Sequence, residues 1–374
     1  MALRSPDGAF PLVRLRHPTA QDARIIVRPS QPNDHRPVMR SSLRDVPDLH
    51  RETARLLRQI PTGRITTYGD VARALGDAGA ARWVGEFLVS HVHEDDCPCH
   101  RVVRVNGDVG LYITRSEEEK AARLRQDGVA VVHGRVDLKR FRFDGLRSSA
   151  PLAVLRDLQV RIPEQLRLQP LAHAPQRVGG VDVSYLSGTE AVAAFVLLEL
   201  PALELVWTKT LRGAVTFPYI SGYLAFRELP LLARLFDEVR AAGCEPDVTF
   251  VDGNGILHPR RAGIASAFGL AVLTPTIGVG KKLLCGRIED GSRTSAHAQA
   301  VVHEGETVGY AVRASYKNRP FYVSPGHLTD LAAALAVTRT TLGPHRLPLP
   351  IAFADRESRR EAQQIANQSR TTTP

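Results

Sequence analysis

The stretch DVTFVDGNGILHPRRAGIASAFGLAVLTPTIGVGKKLL, residues 247–284, passes from a short apolar run into a Gly-rich loop. It continues through a longer apolar segment into a second β-prone run. Short β-branched runs bounded by Gly and Pro read as strands, and the longer segment between them reads as a helix. Ahead of it lie RVGGVDVSYL, AVAAFVLLEL and ELVWTKTLRGAV, then the helical pattern PYISGYLAFRELPLLARLFDEVRAAG. Antiparallel strands leading into strand-helix-strand units predict an α/β fold with a mixed sheet.

Acids are set into this pattern. Asp182 falls inside an apolar strand, where a lone carboxylate is costly to bury. Asp252 repeats the arrangement at the end of VTFVD, directly before GNG, and Glu228 follows Arg227 near the start of the long helix. Acids at strand ends and element junctions can converge on hard cations, and paired Mg²⁺ ions keep such a cluster ionised. Metals held this way activate a water and stabilise the leaving oxygen in phosphodiester hydrolysis. Taken singly, each acid also reads as a cap or turn residue.

The first half is organised differently. DLHRETARLLRQI, residues 48–60, repeats apolar positions at helical spacing behind Asp48 as N-cap. PTGRITTYGDVARALG adds a turn, a β-prone run and a helix with Thr67 and Asp70 in capping-box positions. After the break GDAG comes the helix AARWVGEFLVS, which completes a helix-turn-helix signature; two ordinary core helices would read the same way. HRVVRVNGDVGLY is expected to form a β-hairpin turning at Asn106 and Gly107, and SEEEKAARLRQDG a helix closed by Gly128. The pattern loosens around FDGLRSSAPLA, which puts a domain boundary near residues 146–152. The expected plan is a flexible extension over 1–46, a small helical winged-helix-like domain over 47–145, the α/β domain over 152–356, and a polar frayed tail over 357–374. Met39 stands just before the first ordered-looking segment and is an alternative start.

A chain of 374 residues exceeds one ordinary core, and 43% hydrophobic residues exclude a disordered protein. No stretch is long and apolar enough for a membrane span, so no membrane partner is expected. A net charge of +10, shared by both halves, suits a polyanionic partner such as DNA. Cys97, Cys99, Cys244 and Cys285 are too few for a disulfide framework, and no secretory segment precedes them. A reducing cytoplasm and a monomer are expected.

Two cysteines sit in DDCPCHRVV, residues 95–103, close behind His91 and His93. Structural zinc normally uses two ligand pairs parted by a loop, with Cys-x₂₋₄-Cys spacing; Cys-Pro-Cys is a poor chelating turn and no second pair follows. A Cys97–Cys99 disulfide would be strained. An inert buried thiol remains open, as does a nucleophile, since a thiol beside an imidazole can be held as thiolate.

FPYISGYLAFRE, VDGNGILHPRR and PTIGVGKKLLCG, with GVDVSY ahead and SPGH behind, resemble the signature blocks of endonuclease V in their usual order. The resemblance implies a ribonuclease-H-like fold and Mg²⁺-dependent cleavage, with Mn²⁺ as a substitute, at the second phosphodiester bond 3′ to deoxyinosine. It assigns Asp182, Glu228 and Asp252 as metal-binding acids, His327 as completing the centre, and Lys281 to the phosphate near the scissile bond. Tyr219 and Ile220 would form the wedge in the vacated stack, and Gly253, Gly255 and His258 would belong to the lesion-base pocket. Ser221 stands where many bacterial members have proline. Related enzymes can prefer inosine in RNA, so an inosine-directed ribonuclease is the alternative for this half.

PCHRVV resembles the acceptor motif of O6-alkylguanine-DNA alkyltransferases, and PTGRITTYGDVA, the helix-turn-helix, NGDVGLY and KAARLRQDGV follow in that family's order. The resemblance covers roughly Leu49 to Val131. It implies that Cys99 takes the alkyl group in one turnover, with no cofactor for the transfer, that His100 is its base, and that Asp127 orients that base. Arg82 would enter the DNA stack, Tyr68 would help rotate the nucleotide, and Tyr112 would line the guanine pocket. His91 replaces the family's hinge asparagine, and Cys97 has no family role. The expected activity is therefore a bifunctional DNA repair protein; a non-transferring lesion sensor that delivers the nuclease is the alternative for the first half.

Overall fold

The computed structural model describes residues 42–371 apart from 95, 296–297 and 316. The proposed start Met39 and most of the expected extension lie outside the described residues.

The first half is small and mostly helical. Asp48 caps α1 (Leu49–Leu57), which buries Leu49, Thr53, Leu56 and Leu57. A turn at Pro61–Gly63 leads to β1 (Thr66–Thr67) and α2 (Tyr68–Ala74), whose capping box is formed by Thr67 and Asp70. A single 3₁₀ turn, Ala78–Ala80, separates α2 from α3 (Ala81–Leu88), which buries Trp83, Val84, Phe87 and Leu88. A second 3₁₀ turn, Pro98–Arg101, carries Cys99 and opens into β2 (Val102–Val103). The expected hairpin is not formed. The tight turn at Gly107 is present, but β2 pairs in parallel with β1, and Asp108 bridges to Arg135 instead. The reason is burial on both sides: Val102 and Val103 are each fully covered, which suits an interior strand and not one arm of a surface hairpin. Then come α4 (Glu117–Gln126), capped by Ser116, the short pair β3 (Val131–Val132) and β4 (Arg135–Val136), and α5 (Leu138–Phe141).

α6 (Pro151–Gln165) joins the halves. Beyond it a nine-stranded sheet has the order β10-β11-β12-β13-β9-β8-β5-β6-β7. Its strands are β5 (Arg177–Tyr185), β6 (Glu190–Glu199), β7 (Glu204–Ala214), β8 (Val248–Asp252), β9 (Thr276–Gly280), β10 (Arg287–Ser295), β11 (Ala298–His303), β12 (Glu306–Val312) and β13 (Phe321–Pro325). β5, β8 and β9 run parallel and the other neighbours antiparallel, the mixed order expected. α7 (Leu224–Ala241) and α8 (Ile264–Val272) cover one face; α9 (Leu331–Thr340) and α10 (Leu349–Thr371) cover the other. β6 shows why its sequence is almost continuously apolar. Ala191, Ala193, Phe195 and Leu197 enter the core under α7 and α8, while Val196 and Leu198 enter the core under α9 and α10.

One boundary differs from the sequence expectation. The polar segment from Glu357 is no frayed tail, because it continues α10 to Thr371 and turns Glu357 and Ser358 inward, 4% and 0% exposed. The halves also share one hydrophobic cluster, in which Leu56, Trp83 and Val84 join Leu152, Ile162, Phe226 and Phe268. Across this seam the Tyr223 hydroxyl donates to Asp77 Oδ2 at 2.6 Å, and Arg44 forms a two-pronged ion pair with Asp237.

α10 lies so close to β5 that a Cβ on Gly180 would stand 2.2 Å from the Pro350 carbonyl oxygen. Backbone cannot step aside as a side chain can. Gly180→Ala is therefore expected to cost at least about 1–3 kcal/mol, the usual penalty of overpacking, read as a lower midpoint in urea unfolding. An unchanged midpoint would mean that this contact does not seat the helix.

Candidate functional site

Parallel pairing of β5 with β8 sets Val181 opposite Val251, which brings Asp182 beside Asp252. Val181 and Val251 face the α7/α8 core, so the two acids stand on the face covered by α10. Asp355 of α10 joins them, with one carboxylate oxygen from each of the three within 4.8 Å of the others. Asp182 is 6% exposed, and its Oδ2 accepts a 2.6 Å hydrogen bond from Ser358 Oγ. Burial, with Asp252 alongside, pushes Asp182 up to about 8. Lys281 Nζ donates to Asp252 and lies 3.6 Å from Asp355 Oδ1. Three hard oxygen donors at this spacing ionise together only against positive charge, so the set fits a divalent cation of the Mg²⁺ or Mn²⁺ type.

Glu228 stands outside this trio. It accepts from the Tyr185 hydroxyl at 2.8 Å, and burial pushes it up to about 7. His327 is not in the cluster either: it is buried, its Nδ1 accepts the Arg167 N–H at 3.3 Å, and its own N–H donates to Thr276 Oγ1. Sequence reasoning missed Asp355 because it lies where the pattern turns polar. The available signal was the pair Asp355 and Ser358, three apart and therefore on one helix face.

A cavity of about 400 Å³ opens near this cluster, lined by Tyr219, Ser221, Gly253, Asn254, His258 and Ile264 among others. Tyr219 is 67% exposed. Ile220, expected beside it in the wedge, is 3% exposed and packed in the core, which leaves Tyr219 as the side chain free to enter a stack. Gly253 has φ +144°, and a Cβ there would meet Ile264 at 2.3 Å. Gly255 does not line the cavity; a Cβ there would stand 2.0 Å from the Pro325 carbonyl oxygen, so its place is in the packing behind. Burial pushes His258 down to about 4, which makes it a neutral imidazole whose Nδ1 accepts the Arg260 N–H. Asn254 Oδ1 is buried with no hydrogen-bond partner among the described residues.

The first half holds a separate site. Cys99 is 2% exposed on its 3₁₀ turn, and its thiol is pushed up by contact with Cys97 and by burial. His100 Nε2 is 3.0 Å from Asp127 Oδ2, which also accepts from Arg101 Nε at 2.5 Å. Burial lowers His100, and its Nδ1 is buried without a partner among the described residues. Tyr112 is buried against His93, whereas Arg82 is exposed on α3 and pairs with Glu86 at 3.1 Å. The structure thus joins His100 to Asp127 and sets His93 between Tyr112 and Cys99, with the Cys99 sulfur 3.7 Å from His93 Nδ1, and it leaves Arg82 on the outer surface. Tyr68 accepts a 3.3 Å hydrogen bond from Lys120 Nζ, which also donates to the Leu111 carbonyl.

Lys120 was not singled out by the sequence, because a lysine in an acid-rich helix reads as a surface residue. It is 1% exposed, and burial pushes it down to about 7 from 10.5. Between those values the unfolded chain binds the extra proton, so this group makes stability rise as pH is raised from about 7 toward 10.5. Lys120→Met is expected to flatten that rise in urea unfolding measured at pH 7 and pH 9. Equal pH slopes for the two chains would refute it.

The Endonuclease V family profile matches residues 160–356, and the profile for the DNA-binding domain of 6-O-methylguanine DNA methyltransferase matches residues 48–129. A bifunctional methyltransferase/endonuclease of Picrophilus torridus is 36% identical over 302 residues, 80% of this chain and 92% of that protein. The catalytic domain of human endonuclease V superposes with TM-score 0.54 at 32% identity, covering 59% of this chain and 98% of that one. Endonuclease V of Ciona intestinalis, solved with a 24mer DNA containing an inosine followed by a ribo-adenosine, superposes with TM-score 0.52 at 30% identity, covering 57% and 98%. With a methyltransferase DNA-binding domain ahead of an endonuclease V domain in one chain, this protein belongs to the bifunctional methyltransferase/endonuclease family.

Proposed function

We propose that the endonuclease half cleaves a DNA strand 3′ to deoxyinosine, at the second phosphodiester bond, and that the other half moves an alkyl group from O6-alkylguanine onto Cys99. The observation that carries the reading is the Asp182, Asp252 and Asp355 cluster standing near a cavity that can take a nucleobase. The likeness to the Ciona intestinalis enzyme, solved on inosine-containing DNA, supports the substrate. Four cysteines outside any disulfide agree with a reducing compartment such as the cytoplasm.

In the endonuclease half Asp182, Asp252 and Asp355 would hold Mg²⁺, with Glu228 close by. The bound cation supplies an activated water and charge stabilisation at the leaving oxygen. Lys281, now paired with Asp252, would meet the phosphate near the scissile bond. Tyr219 would fill the gap left by the extruded base, offsetting part of the few kcal/mol of unstacking. In the cavity, neutral His258 offers a hydrogen-bonding group, and Gly253 admits the base edge where a side chain would block it.

In the transfer half Arg82, exposed on α3, would enter the stack while Tyr68 turns the nucleotide and Tyr112 lines its pocket. Asp127 holds His100 by Nε2, so the buried Nδ1 is the nitrogen left to take the thiol proton. The Cys99 sulfur pair then forms the bond to the alkyl carbon as the carbon–O6 bond breaks, and the released guanine is protonated.

Two measurements decide these assignments. Asp182→Ala and Asp355→Asn should each lower Mg²⁺-dependent nicking of deoxyinosine DNA by at least about 100-fold, the upper end of what losing even a supporting metal partner costs. Wild-type nicking by either variant refutes the cluster, and preferential cleavage of inosine in RNA reassigns the substrate. Intact-mass analysis after incubation with O6-methylguanine DNA should show one added methyl on Cys99 and none on Cys99→Ala; an unmodified but DNA-bound protein would make this half a sensor.

A further inference from the structure

The loop after α3 and the turn that carries Cys99 bring four side chains together that the transfer reaction does not call for as a set. His91 Nε2 lies 3.3 Å from Cys97 Sγ, and His93 Nδ1 lies 3.7 Å from Cys99 Sγ. One donor atom from each of the four lies within 4.8 Å of the others. A tetrahedral ion with metal–sulfur bonds of about 2.3 Å and metal–nitrogen bonds of about 2.0–2.1 Å sets neighbouring nitrogen and sulfur about 3.6 Å apart. The two observed separations fall on either side of that value. Neither cysteine is in a disulfide.

The far side of each imidazole carries an independent sign. His91 Nδ1 is 3.1 Å from the Phe87 carbonyl oxygen, which can only accept, so Nδ1 carries a proton and the neutral ring turns its Nε2 lone pair toward Cys97. His93 Nε2 is 3.0 Å from the Tyr112 hydroxyl, and the tautomer that donates there turns the Nδ1 lone pair toward Cys99. Metal-bound histidines are oriented in this way, each giving its second ring nitrogen to a carbonyl or hydroxyl partner. Two thiolates and a dication also sum to zero charge, so the site can be largely covered without leaving an unpaired ion.

We propose that His91, His93, Cys97 and Cys99 form a tetrahedral site for Zn²⁺, or for a divalent transition-metal ion of similar size and softness. Thiolate and imidazole donors select such ions over Mg²⁺, which belongs with the carboxylates of the other half. The usual spacing of structural zinc sites puts a second ligand pair after a pair such as Cys-Pro-Cys. Here the pair lies before it, as His-x-His, and one nine-residue loop closes the site. The ion ties the C-terminal end of α3, whose first turn carries Arg82, to the turn of Cys99. A ligated Cys99 is already a thiolate, so the loaded chain does not need His100 to deprotonate it. The site rests on this geometry and stands whether or not Cys99 accepts alkyl groups.

The test is a titration of the full chain, stripped of metal and kept reduced, with Co²⁺ and then Zn²⁺. One equivalent of Co²⁺ should give thiolate-to-cobalt charge-transfer absorption and the visible bands of tetrahedral cobalt. One equivalent of Zn²⁺ should remove them, and excess Mg²⁺ should not. Cys97→Ser and His91→Ala, checked for folding by circular dichroism, should each weaken Zn²⁺ binding by at least about 100-fold. Asp182→Asn should keep the cobalt spectrum, since carboxylates give no thiolate band. Cobalt that binds without that band, or a spectrum unchanged in both loop variants, overturns the site.

Discussion

The fold turns on one demand, the burial of carboxylates at the carboxyl end of a parallel strand pair. Asp182 is nearly covered, Asp252 is its neighbour across the ladder, and Asp355 comes down on them from α10. None of this is stable by itself, because like charges at that spacing repel and burial favours their neutral forms. Ser358, Lys281 and the close seat of α10 on Gly180 supply what opposition the protein can offer. The remaining imbalance is what makes the place suited to a dication, and the sheet order, the glycine and the long final helix are all arranged around it.

Much of this was readable from the sequence, and the limits have physical causes. The mixed sheet followed from apolar runs of strand length, and Asp182 and Asp252 stood out because a carboxylate in an apolar run is costly. Asp355 did not, since an acid in a polar helical stretch has no local anomaly; only the docking of α10 gives it meaning. The parallel pairing of Val102 with Thr66 was equally hidden, because an Asn-Gly turn signals a local hairpin and says nothing of a partner 36 residues upstream. Lys120 and Ile220 show the same limit from opposite sides. A lysine was buried by tertiary packing, and an isoleucine of a recognised motif was absorbed into the core, and neither outcome is written in the residues nearby.

The loop from His91 to Cys99 shows how a spacing rule can fail while its chemistry holds. The rule describes ligands delivered by two separate turns, whereas here a proline-started 3₁₀ turn folds the chain back on its own preceding residues. Both histidines are then locked by groups outside the loop, Phe87 on one side and Tyr112 on the other. Tyr112 thus belongs at once to the proposed guanine pocket and to the support of His93.

The seam between the halves carries a different consequence. Trp83 and Phe226 lie in one continuous cluster, and Tyr223 reaches across to Asp77, so the halves are not beads on a flexible string. A tether would let each site search its own stretch of duplex. A shared core instead fixes the angle between the Arg82 helix and the carboxylate centre, so whether one DNA molecule can meet both sites depends on how far apart along the double helix its lesions lie, and on which side of it each one faces.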